Sequence, residues 1–124
     1  MLSVTEKMHV LIGEDDEVLQ QVYIKKFTMA GYSIQVAGTG EDLLDALDDK
    51  APNILILDVT LPVLDGFSVL KKLPKKRPFP VVILTSTRDS KKKKKGKELG
   101  VDDYLIKGEV TIGNLLEIVN KLTK

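Results

Sequence analysis

The stretch Asn53-Ile54-Leu55-Ile56-Leu57-Asp58-Val59-Thr60-Leu61-Pro62-Val63-Leu64-Asp65-Gly66 decides the fold. Its aliphatic residues are continuous rather than alternating, the pattern of a strand buried on both faces and therefore of a parallel sheet covered by helices. The run stops at an acid, and a loop containing proline and glycine follows at once. In an open α/β sheet the chemistry gathers outside the carboxyl ends of the strands, so Asp58 stands in a functional position.

Working outward, similar Val/Ile/Leu-rich runs occur near 9–13, 33–37, 81–85 and 103–106. The segments between them carry helical periodicity. Segment 16–30 aligns Val18, Leu19, Val22, Tyr23, Phe27 and Ala30 on one broad stripe. Segment 40–49 offers Leu43, Leu44 and Leu47, with Thr39 and Asp42 in capping-box-like spacing. Segment 66–73 offers Phe67, Leu70 and Leu73. Segment 112–122 repeats Ile112, Leu115, Leu116, Val119 and Leu122 at intervals of three and four. Gly31 and Gly100 follow helical segments, where a left-handed residue ends a helix well. Five strands alternating with five helices predict one α/β domain with a parallel sheet and right-handed crossovers. All post-strand loops then open on one edge.

The composition sets bounds. At 124 residues the chain suits one domain with a core of its own. With no cysteine, disulfides and Cys-ligated metals are excluded. The start has no long apolar stretch of the secretory kind, and no apolar run approaches the ~20 residues of a membrane span. A cytoplasmic protein is the expectation. The net charge of +1 hides an asymmetry. Lys91 to Lys95 and Lys97 crowd into one short stretch, and the remainder of the chain is net acidic.

The predicted loop edge gathers Glu14-Asp15 after Val10-Leu11-Ile12-Gly13, Asp58, Thr85 after Val81-Val82-Ile83-Leu84, and Lys107 after Tyr104-Leu105-Ile106. Adjacent acids repel unless a cation offsets them, and an oxygen-rich, partly hydrated site suits Mg²⁺. Asp15 and Asp58 are the candidate direct ligands, with Glu14 acting through water. Asp16 is expected to cap the first helix instead. An ammonium, a hydroxyl and a divalent cation can together balance the three oxygens of a phosphoryl group, which makes Asp58 a candidate phosphoacceptor. His9, a lone histidine opening the first strand, is read as structural or surface and outside the site.

These residues carry a resemblance. Glu14-Asp15, then Asp58 in Asp-x-x-x-Pro-x-x-Asp-Gly, then Thr85-Ser86, then Asp103-Tyr104-Leu105-Ile106-Lys107 resemble the receiver domain of two-component response regulators, of the chemotaxis-regulator kind, over residues 8 to 122. The resemblance implies a flavodoxin-like sheet of order 2-1-3-4-5. It implies that a histidine kinase or phosphotransfer protein phosphorylates Asp58 with Mg²⁺ as cofactor, and that the Thr60 backbone carbonyl completes the metal's protein ligands. It further implies that Lys107 contacts the phosphoryl group and that Thr85 and Tyr104 form a switch, Tyr104 rotating inward as Thr85 moves. The readout surface would be the fourth helix, fifth strand and fifth helix. Thr60 and Thr87 flank the site and would tune hydrolysis of the acyl phosphate. The expected activity is self-directed phosphotransfer with slow autodephosphorylation, not turnover of a substrate.

Two stretches depart from the family pattern. Gly108 follows Lys107 where a cis-proline is common, leaving the Lys107–Gly108 bond open. The fourth helical segment, Ser90-Lys91-Lys92-Lys93-Lys94-Lys95-Gly96-Lys97-Glu98-Leu99, has no apolar stripe, like charges at i,i+4 and an interior glycine. A short, late or mobile helix is expected there. Its charge suits an acidic partner surface. Nucleic acid contact is expected only through a domain outside these 124 residues, since no aromatics interleave the lysines. Two other functions compete. An Mg²⁺-dependent aspartyl-phosphate hydrolase would want a second acid two residues after Asp58, where Thr60 stands, and a substrate-covering cap. A binding-only pseudo-receiver would not need Asp58, Asp15 and Lys107 together.

Overall fold

The computed structural model describes residues 7–74, 76–86 and 88–124. Five strands alternate with five α-helices: β1 (His9–Gly13), α1 (Glu17–Met29), β2 (Ser33–Ala37), α2 (Gly40–Asp49), β3 (Ile54–Asp58), α3 (Gly66–Lys71), β4 (Val81–Thr85), α4 (Ser90–Glu98), β5 (Asp103–Ile106) and α5 (Ile112–Thr123). A 3₁₀ turn, Lys107–Glu109, joins β5 to α5. The strands form one parallel sheet of order β2-β1-β3-β4-β5. The alternation predicted the helix-covered parallel sheet, and its order is the flavodoxin-like one that the resemblance implied.

Continuous aliphatic runs became the inner strands for a simple reason. β1, β3 and β4 are buried along their whole length, so residues on both faces lose water. Each fully buried Ile or Leu contributes about 2 kcal/mol through that transfer. Alternate residues feed two cores. Leu11, Leu55, Leu57 and Ile83 face α2 and α3, with Leu43, Phe67 and Leu70. Val10, Ile12, Ile54, Ile56, Val82 and Leu84 face α1 and α5, with Phe27, Leu115 and Val119.

The helix starts follow local chemistry. Asp16 caps α1 by accepting from Leu19 N, Thr39 caps α2 from Asp42 N, and Asp65 caps α3 from Ser68 N. Thr111 and Asn114 form a full capping box on α5. Gly31 and Gly100 take positive φ after α1 and α4, as their places predicted. α3 stops at Lys71, before the 73 expected from periodicity. Pro74 disfavours helical backbone in the residue before it, which closes the helix early.

Of the short, late or mobile helix expected in the fourth segment, the late start is corrected. α4 begins at Ser90 and runs nine residues, with the Asp89 side chain accepting from Lys91 N at its cap. It lacks an apolar stripe but docks through Gly96, which is buried. A Cβ on Gly96 would lie 3.2 Å from the Tyr104 ring and 3.3 Å from Val101, so the missing side chain permits the backbone's approach. The lysines lie around this contact, and Lys95 Nζ sits 4.9 Å from the Phe67 ring centroid.

Candidate functional site

The carboxyl edge of the sheet brings the acids together. Asp58 ends β3, Glu14 and Asp15 follow β1, and one carboxylate oxygen from each of the three lies within 4.8 Å of the others. Glu14 and Asp58 are almost wholly buried, at 1% and 3% exposure, while Asp15 is open to solvent. Oxygen donors alone, two buried and one hydrated, match what a hard divalent cation requires.

Lys107 reaches this cluster from the end of β5. Its Nζ lies 2.6 Å from Asp58 Oδ2 and 2.6 Å from Glu14 Oε1. Burial alone would depress the ammonium's pKa, but its hydrogen bond to Asp58 and its ion pairing with both carboxylates outweigh that and hold it above the usual lysine range. Glu14 moves up as well. Burial is the main cause, and the Lys107 ammonium and the Asp16 N–H donating to Glu14 Oε2 only partly oppose it. Two buried carboxylates thus share one ammonium, with Asp15 beside them, and the pocket remains net negative.

The β3–α3 loop fixes the other side of Asp58. Thr60 donates to Asp58 Oδ1 twice, from its backbone N–H at 2.9 Å and its hydroxyl at 2.8 Å. The loop can turn back because Gly66 packs against β3. A Cβ there would meet Asp58 O at 2.8 Å and Val59 Cα at 2.9 Å. This explains the Asp65-Gly66 pair: Asp65 caps α3 and Gly66 lets it pass over the strand end. Val63 takes φ of 69° within the same loop, and Leu64 N donates to Pro62 O at 2.8 Å. Positive φ is a costly conformation for a β-branched residue.

Thr85 is fully buried at the end of β4, with Ile106 as its β5 partner. Tyr104 is half-buried, and its ring already lies inward against Gly96 with the hydroxyl buried. Burial pushes the Tyr104 phenol up in pKa, opposed in part by the nearby Thr85 side chain. No cis peptide occurs among the described residues, so the Lys107–Gly108 bond is trans and Lys107 reaches the acids without one. Thr87, expected to flank the site, lies outside the described residues.

His9 is buried at the opposite end of β1, its Nδ1 3.0 Å from Ser33 Oγ. Burial lowers its pKa, and it takes no part in the acid cluster. Sequence reasoning missed Gln20, whose Nε2 donates to Glu14 O at 2.6 Å and anchors the β1–α1 loop. Its only signal was position, one turn into α1 from the Asp16 cap. It also missed the ion pair of Arg88 with Glu109, which links the loops after β4 and β5. Among the described residues no helix is long and apolar enough to cross a membrane.

Known proteins share this fold. The receiver domain of the Francisella response regulator 1452 is 33% identical and superposes with a TM-score of 0.85, covering 94% of this chain and 96% of that one. A CheY-like receiver domain protein from Methanospirillum hungatei has the same fold, with a TM-score of 0.86 at 24% identity over 94% and 93% of the two chains. A protein described as probable transcriptional regulator ycf27, from Cyanidium caldarium, is 36% identical over 99 residues, 80% of this chain and 40% of that protein. The chain spans about two-fifths to half the length of the curated relatives it matches. The response regulator receiver domain model matches residues 10–120, from the first buried strand into the last helix. With the acid cluster, the strand order and the match all falling on the same residues, the chain belongs to the response regulator receiver domain family, the signalling modules of two-component systems.

Proposed function

We propose that Asp58 is the phosphoacceptor of this domain, taking a phosphoryl group from a histidine kinase or phosphotransfer protein. The observation that carries this reading is the double grip on Asp58. Thr60 holds Oδ1 and Lys107 holds Oδ2, so a buried carboxylate is fixed at a strand end beside two further acids. In the reaction an Asp58 carboxylate oxygen bonds to phosphorus while the donor's N–P bond breaks, and the electron pair leaves with the imidazole. The Lys107 ammonium offsets charge on the transferring oxygens. Thr85 and Tyr104, joined across β4 and β5, report the change to the α4, β5 and α5 surface.

The acid cluster fits Mg²⁺ by its all-oxygen donor set and net negative charge. Asp15, Asp58 and the Thr60 backbone carbonyl would hold the ion and Glu14 would act through water. When bound, it supplies the charge stabilisation that phosphoryl transfer needs. Thr60, and Thr87 beyond the described residues, would set how readily water reaches the acyl phosphate. The lysines of α4 are the contact for an acidic partner.

A hydrolase reading gains nothing from the geometry. The position two residues after Asp58 holds Thr60, whose hydroxyl is spent on Asp58 itself. The family consists of signalling modules rather than substrate-turning enzymes. Incubation with Mg²⁺ and acetyl phosphate, read by intact mass, tests the proposal. One phosphate should be gained, and Asp58→Asn should abolish the gain. Repeated turnover of phosphate esters would instead favour the hydrolase.

A further inference from the structure

The helices on one side of the sheet carry opposite charge at its two ends. α2 lies over β1 and β2 and presents Glu41, Asp42, Asp45, Asp48 and Asp49 to solvent with no base in the helix. α4 lies over β4 and β5 and carries six lysines against one acid, Glu98. α3 lies between them, and its Lys71 lines a groove with Lys91, Lys94 and Lys95, extending the basic half. Among the described residues, no ion pair engages any of these six lysines or any of the five α2 acids. On one molecule the two charge sets form no ion pair with each other among the described residues.

We infer that this face pairs with the same face of a second copy of the chain, α4 of each copy lying on α2 of the other. A two-fold axis running along α3 does this and no more: it exchanges the left and right halves of the face, so each basic half meets an acidic half. Both contacts form at once, and the pairing closes as a dimer. The net charge of +1 leaves little long-range repulsion between copies. The inference deepens the acidic-partner reading of α4 by naming the acidic surface as the chain's own α2. It is independent of whether Asp58 accepts phosphate.

Charge reversal in this 124-residue chain tests it by sedimentation equilibrium. The wild type should dimerise, with affinity falling about tenfold or more as salt rises through the range where the Debye length drops below about 10 Å. Lys91→Glu/Lys94→Glu should be monomeric, as should Asp45→Lys/Asp48→Lys. Mixing these two variants should restore a dimer, and combining all four substitutions in one chain should restore it again. Circular dichroism of each variant confirms that it is folded, and the restored combinations exclude loss through unfolding. A monomer at every salt concentration overturns the inference, as does a dimer insensitive to both reversals. A monomer that binds poly-glutamate through α4 also overturns it, while leaving the acidic-partner reading in place.

Discussion

The Lys107 ammonium lies 2.6 Å from Asp58 Oδ2 and, through the same nitrogen, 2.6 Å from Glu14. It is the internal counter-ion of two buried acids. Replacing it by methionine, which fills similar space, leaves those acids facing each other with no positive charge. Lys107→Met should cost about 3 kcal/mol near neutral pH, measured by urea unfolding. Added Mg²⁺ should recover much of the loss, because a cation binding the folded state stabilises it. An unchanged urea midpoint would show that the pair is not coupled to folding.

Glu14 gives a pH signature of its own. Its pKa is raised by burial, so the proton is bound more tightly in the folded protein than in the unfolded chain. The stability linked to that proton is complete below the ordinary glutamate value of 4.5 and is lost as pH rises through the folded-state value. Glu14→Gln, which cannot ionise, should therefore unfold at higher temperature than wild type near neutral pH. The advantage should vanish on acidification below that ordinary value. A melting difference constant across pH would contradict the assignment. The same variant should bind Mg²⁺ more weakly.

Gly96 is the docking point of α4. A Cβ there would already lie 3.2 Å from the Tyr104 ring, so a large side chain crowds this contact. Gly96→Leu should destabilise by about 2 kcal/mol through overpacking, despite leucine's better helix propensity. The Tyr104 ring resonances should shift with it. A gain in stability with unmoved Tyr104 signals would show that α4 does not rest on this glycine.

Val63 holds φ of 69° in the loop that positions Thr60, and it is 73% exposed. Strain of this kind costs about 1–3 kcal/mol. Asparagine tolerates that conformation, so Val63→Asn should raise the unfolding free energy by about 1 kcal/mol. No change, or a loss, would mean that the turn carries no strain.

Much of this was legible because buried parallel strands announce themselves. Uninterrupted runs such as Ile54 to Leu57 and Val81 to Leu84 have no solvated face, and each ends where the chain returns to water. The site residues stood at those ends, so order along the chain placed them together before any coordinates. α4 was misjudged because helix docking was equated with an apolar stripe. Gly96 supplied contact by having no side chain, a signal that hydrophobic patterning scores as a defect. The contact of Tyr104 with α4 was equally hidden, since it depends on the space Gly96 leaves. Gln20 escaped notice because its bond is to the Glu14 backbone carbonyl, which exists only once the loop has folded.

The central claim is that Asp58 accepts the phosphoryl group. The most direct measurement is borohydride reduction of protein treated with Mg²⁺ and acetyl phosphate, followed by peptide mass mapping. Reduction converts an aspartyl phosphate to homoserine and leaves a free carboxylate untouched. The account predicts homoserine at position 58 alone, and none when the donor or Mg²⁺ is withheld. Homoserine at Asp15 or any other acid, with Asp58 unmodified, would contradict it.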